Sequence, residues 1–154
     1  MKGIAQQAVT EITNAVADRV LTIGTVTDDQ QDLNGEANLT FDGSTLTVTG
    51  AQIVKRVILD TSSTTSYNVL AADYYIGVGS AGGTAQALTI NLQAVSGLTG
   101  RVIIIKDESG ECGLYNITID GNGSETIDGQ TTQVMNSNYA SVTLVCNGAS
   151  WSIV

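Results

Sequence analysis

ALTINLQAVSGLTGRVIIIKDESG, residues 87–110, places two strand-like runs on either side of a glycine-bounded turn. In the first run Leu88, Ile90 and Leu92 alternate with Thr89 and Asn91, the pattern of a strand with one buried and one solvated face. In the second, Val102, Ile103, Ile104 and Ile105 are apolar on both faces, so this strand is expected at the centre of a sheet. The same grammar extends outward on both sides. TSYNVL (65–70), YYIGV (74–78), YNITI (115–119), SVTLV (141–145) and WSIV (151–154) read as short strands. GSAGGT, DESGECG, DGNGSE and NGAS supply the turns between them. Regular short strands of this kind predict a sandwich, a barrel-like domain or an intertwined β-prism. No internal repeat is strong enough to indicate a solenoid.

The first 64 residues differ. Residues 4–20 predict a helix, because Ala5, Val9, Ile12 and Val16 follow the 4-3-4 spacing of a coiled-coil seam. The pattern lasts about two heptads, too short to be stable alone in water. It fits either a helix lying on its own domain or a short self-associating bundle. Residues 24–38 are polar, with Asp28, Asp29, Asp32 and Glu36 close together, and read as a connector. NLTFDGSTLTVTG (38–50) then predicts a hairpin around Asp42-Gly43, with Leu39, Phe41, Leu46 and Val48 as its apolar residues. AQIVKRVILD (51–60) reads as a strand or a short helix.

Composition narrows the function. Hydrophobic residues are 42% but aromatics only 5%, so the core rests on Val, Ile, Leu and Ala. Thr, Ser and Asn make up 42 of the 154 residues, a mix suited to strands with polar outer faces and many turns. The net charge of −9, with six scattered basic residues, argues against nucleic acid and anionic membrane surfaces as partners. No apolar run reaches the roughly 18 residues of a membrane span, and the N-terminus lacks the continuous apolar stretch of a secretory signal. Cys112 and Cys146 can pair or stay reduced, and without an export signal the reduced state is expected.

Histidine is absent, which removes Ser-His-Asp and Cys-His machinery and the usual nitrogen ligands of zinc. Neither phosphate-binding glycine motif occurs. No cofactor and no enzymatic activity are expected. DGNGSETIDG (120–129) offers oxygens from Asp120, Asn122, Ser124 and Asp128. It lacks the glycine and the bidentate glutamate of a calcium loop, so a glycine-rich turn is the expected reading and a cation the weaker one. Tyr74, Tyr75, Tyr115 and Tyr139 are candidates for glycan or receptor contact, although tyrosine is equally an ordinary sheet residue. Trp151 reads as core.

LNGEANLTFDGSTLTVTG (33–50) resembles a hairpin module of tail-fibre and other virion proteins of bacteriophages. YNVLAADYYIGV, GRVIIIKDESG, NITIDGNGSETIDG and SVTLVCNGASWSIV resemble the terminal knob of such fibres. The resemblance covers residues 33–154 and carries no catalytic content. It implies a homotrimer, with Val9, Ile12, Val16, Leu39, Phe41, Leu46 and Val48 at the trimer interface. The fold class expected is mainly β: a short N-terminal helical segment (1–25) for attachment and trimerisation, a connector and β-hairpin neck (26–64), and a C-terminal antiparallel β-sandwich or prism-like knob (65–154). Fibres usually carry a long shaft, so a chain of 154 residues points to a small appendage. The expectation is a capsid-decorating (cement or head-fibre) protein on the virion surface, held to the major capsid protein or another virion protein through residues 1–25. The alternative is a short tail fibre or receptor-binding tip that recognises a host surface glycan or protein.

Overall fold

The computed structural model describes residues 19–23, 33–41 and 44–154. The chain is mainly β, with no helix among the described residues. It divides into two compact units, residues 1–53 and 54–154.

In the first unit, β1 (Arg19–Ile23), β2 (Leu33–Phe41) and β3 (Leu46–Val48) form an antiparallel sheet in the order β1-β2-β3. The expected hairpin is present: Leu39 pairs with Val48, Thr40 with Thr47 and Phe41 with Leu46. Two expectations change. Arg19 and Val20, read as the end of a helix, are strand residues, while residues 4–18 lie outside the described residues. The stretch 33–38, read as connector because it is polar, belongs to β2, where pairing with β1 supplies the backbone partners that its composition did not announce.

The second unit contains nine strands: β4 (Arg56–Asp60), β5 (Ser66–Asn68), β6 (Tyr75–Gly79), β7 (Leu88–Asn91), β8 (Val102–Asp107), β9 (Ile117–Asp120), β10 (Thr132–Met135), β11 (Ser141–Cys146) and β12 (Trp151–Ile153). They make a five-stranded sheet ordered β12-β11-β8-β6-β4 and a four-stranded sheet ordered β10-β9-β7-β5. From β4 to β9 the chain changes sheet at every strand. β4, β6 and β8 are therefore parallel in one sheet, and β5, β7 and β9 parallel in the other. This corrects the antiparallel expectation for the knob. A parallel pair needs a crossover, and here the crossover of each sheet is a strand of the other. The glycine-rich turns between β4 and β9 arch from sheet to sheet. Only β10, β11 and β12 add antiparallel pairs.

The result is three stacked two-strand coils with no sequence repeat behind them. Their rungs start at residues 56, 75 and 102, so the spacing is unequal. What repeats is register. Val57, Ile76 and Ile105 form one inward row, and Tyr67, Ile90 and Ile119 another. Ile76, Ile90, Ile103, Ile105, Ile119 and Leu144 are fully enclosed in one hydrophobic cluster drawn from both sheets. β8, read as central from its apolar run, has a partner on either side in the five-stranded sheet.

Candidate assembly and receptor surfaces

Alternation along β2 and β3 puts Leu39, Phe41, Leu46 and Val48 on one hairpin face, with Thr40 and Thr47 on the other. Leu39 is half-buried, whereas Phe41 and Leu46 are 50% and 59% exposed and Val48 is likewise exposed. The hairpin thus carries a row of cross-strand apolar pairs that is about half exposed. Val9, Ile12 and Val16 lie outside the described residues.

The outer faces of the second unit differ in chemistry. On the four-stranded sheet Ser66, Asn68, Thr89, Asn91, Thr118 and Asp120 form polar rows, and the Asn91 amide donates to Asn68 Oδ1 at 2.8 Å. The five-stranded sheet turns Ile58, Tyr75, Val102, Ile104 and Val145 outward, with Arg56 and Lys106 among them. Tyr75 is engaged there: its hydroxyl donates to Glu108 Oε1 at 2.9 Å, and Arg56, paired with Glu108 Oε2 at 2.6 Å, lies 5.9 Å from its ring centre. Tyr74 precedes it, about one-third exposed, with its backbone N–H on the Lys55 carbonyl.

The other two candidates, Tyr115 and Tyr139, lie on a loop and a turn that meet at the far end of β8. The organiser is Asp107, which sequence reading did not single out. Continuing the inward alternation of Ile103 and Ile105, its carboxylate is buried. Oδ1 accepts the Gly110 N–H at 2.9 Å; Oδ2 accepts those of Cys112 at 3.2 Å and Tyr139 at 2.9 Å. Burial pushes this carboxyl up, but the Tyr139 and Cys112 N–H groups and the other donors outweigh it and hold it at about 2. One anion thus joins the 108–116 loop to the 136–140 turn. The available signal was a carboxylate at an inward strand position, followed directly by a glycine-bearing turn able to aim N–H groups at it.

Tyr139 sits in the left-handed region at φ 61, and its ring packs against Gly110, where a Cβ would fall 2.4 Å from Cζ. The Lys106 ammonium is 5.5 Å from the ring centre and donates to the Tyr139 and Asp107 carbonyls. Beside this cluster an open groove is lined by Gly110, Glu111, Gly113, Leu114, Tyr115, Ser137 and Asn138.

The 120–129 stretch is a docked turn. Trp151 N–H bonds the Thr126 carbonyl at 2.9 Å, and Asp128 N–H bonds the Trp151 carbonyl at 3.0 Å. Asp128, at φ 47, accepts the Ile153 N–H at 3.2 Å. Asp120 lies within β9, while Asn122 and Ser124 are exposed on the turn. Among the described residues no group of three or more Cys, Asp or Glu is placed to hold a metal ion. Cys112 and Cys146 are both buried and unpaired. Burial, and then the bond to Asp107, push the Cys112 thiol up.

No protein-family model matches this chain, and no curated protein resembles it closely enough to count as a relative.

Proposed function

We propose that this chain is a non-enzymatic structural protein of a bacteriophage virion, a short homotrimeric appendage anchored through residues 1–25, with unit 54–154 facing solvent. Its role in this reading is capsid decoration. The observation that carries the reading is the hairpin face, where Phe41, Leu46 and Val48 of the apolar pairs Leu39–Val48 and Phe41–Leu46 are about half exposed. Three copies packed around a threefold axis would bury the exposed half of that face, at about 1 kcal/mol for each Phe41 ring. The fibre-like phrases at 33–50 and 67–154 supply the virion context.

Light scattering tests the assembly. The native protein is expected at three times the chain mass at micromolar concentration, and Phe41→Asp at one chain mass with its β-type circular dichroism retained. Ser44→Asp, at an exposed position beside the turn, is expected to leave the trimer intact. A trimeric Phe41→Asp protein would show that the hairpin is not the assembly face. Electron microscopy of particles with and without the protein tests the location.

The second reading is a receptor-binding tip, favoured by the loop cluster at Tyr115 and Tyr139. There Leu114 and Tyr139 stand 78% and 64% exposed on a rigidly held support.

A further inference from the structure

Three Asn-Gly pairs occur in the chain, Asn34-Gly35, Asn122-Gly123 and Asn147-Gly148. In such a pair the glycine nitrogen can attack the preceding side-chain amide, because glycine has no Cβ to obstruct the approach. The three share one local chemistry and have three different settings. Asn34 and Gly35 lie in β2, opposite Thr22 and Leu21 of β1. Ladder pairing there holds the backbone extended, away from the rotated form that ring closure needs.

Asn147 is bound at both ends of its side-chain amide. Its Oδ1 accepts the Ala149 and Ser150 N–H groups, each at 2.9 Å, and its Nδ2 donates to Ser150 Oγ at 2.9 Å. Gly148 is packed as well, since a Cβ there would fall 2.6 Å from Thr99 Oγ1. This turn must break its bonds before it can react. Asn122 is the opposite case. It is exposed on the turn after β9, and its side chain has no hydrogen-bond partner among the described residues. The Gly123 N–H has none there either, and a Cβ on Gly123 would meet nothing within 4 Å.

We propose that Asn122 is a site of spontaneous deamidation, at which this turn acquires a carboxylate with age. The Gly123 nitrogen gives its proton to hydroxide and bonds to Asn122 Cγ. The Cγ–Nδ2 bond breaks, and Nδ2 leaves as ammonia after taking a proton from water. Water then opens the cyclic imide on one side to aspartate, and on the other to isoaspartate, whose backbone is one methylene longer. Amide and water become carboxylate and ammonium, and nothing is oxidised or reduced. Each conversion adds one negative charge to a chain of net charge −9. The isoaspartate form also alters the acceptor of the Glu125 N–H, whose 3.0 Å bond to the Asn122 carbonyl closes the turn. The Glu125 carboxylate accepts the Val95 N–H at 3.0 and 3.1 Å, so the longer backbone is felt in the segment after β7.

The test is to age the full chain in warm, mildly alkaline buffer, natively and in urea, and to map the products by mass. Cleavage after glutamate places the three pairs in separate peptides, 12–36, 112–125 and 126–154. Electron-transfer fragmentation tells isoaspartate from aspartate. In the native protein the Asn122 peptide is expected to convert from amide to acid about tenfold or more faster than the other two. In urea, where only local sequence remains, the three rates are expected to converge. Gly123→Ala is expected to slow conversion at Asn122 and leave Asn147 unchanged. The proposal is overturned if native Asn34 or Asn147 converts as fast as Asn122, or if native Asn122 stays intact while the unfolded chain converts. A difference that persists in urea would assign the selectivity to sequence and overturn the part given to the fold.

Discussion

Asp107→Asn is expected to destabilise unit 54–154 by about 2–3 kcal/mol, the cost of leaving buried N–H donors without their charged acceptor. The wild-type carboxylate accepts N–H groups on both oxygens. The amide keeps the acceptor at one position and turns an N–H₂ toward N–H groups at the other, leaving donors buried and unsatisfied. Urea unfolding followed by Trp151 fluorescence reads the loss, and a midpoint within error of wild type would refute the role given to Asp107. The same contacts make stability depend on pH. Asp107 titrates near 3.8 when free and at about 2 when folded, so its contribution is complete above pH 3.8. It fades as pH falls from there toward 2, by about 2 kcal/mol in all. Wild type is expected to lose this increment and Asp107→Asn to lack it, the other carboxylates being common to both.

Trp151→Ala is expected to cost about 3–5 kcal/mol. The indole is fully buried, and its backbone holds the Thr126–Asp128 segment from both sides. Removing the ring opens a cavity where β12 closes the five-stranded sheet and loosens the turn docked on it. The indole N–H has no partner among the described residues. Trp151→Phe therefore deletes volume and an unpaired donor together, and is expected to cost less than half as much. Calorimetric melting of both variants decides. Equal losses would mean that the N–H is satisfied and contributes.

Strand existence was legible because it depends on local alternation. Leu88/Ile90/Leu92 and Ile117/Ile119 announced their buried faces, and the run at Val102–Ile105 announced a central strand. Strand pairing was not legible. The turn 79–84 reads identically whether it returns β6 into its own sheet or arches to the other, because Gly82 at φ 99 serves either path. Polarity misled at 33–38, where hydrogen bonds to β1 decide the conformation. Of the candidate contacts, Tyr115 and Tyr139 stand 24 positions apart in the chain, and only the fold brings the loop of one and the turn of the other together around one groove. The residue that joins its walls was hidden for a related reason: an aspartate after an isoleucine run looks like a strand end meeting solvent.

The interleaving of the two sheets also orders events in time. Between β4 and β9 no strand pairs with its successor, so the first coils to leave the ribosome have no finished partner. Within the second unit the pairs closest in sequence, β9–β10 and β11–β12, are the last to be made. Closing short loops first is entropically cheaper, so the folding nucleus is expected at the C-terminal hairpins, with β4 and β5 docking late. In stopped-flow experiments Leu144→Ala should slow refolding, whereas Leu59→Ala should chiefly speed unfolding. The reverse pattern would place the nucleus in the first coil. A ribosome carrying only the first two coils of the second unit holds them before β11 and β12, which complete the five-stranded sheet, have been made.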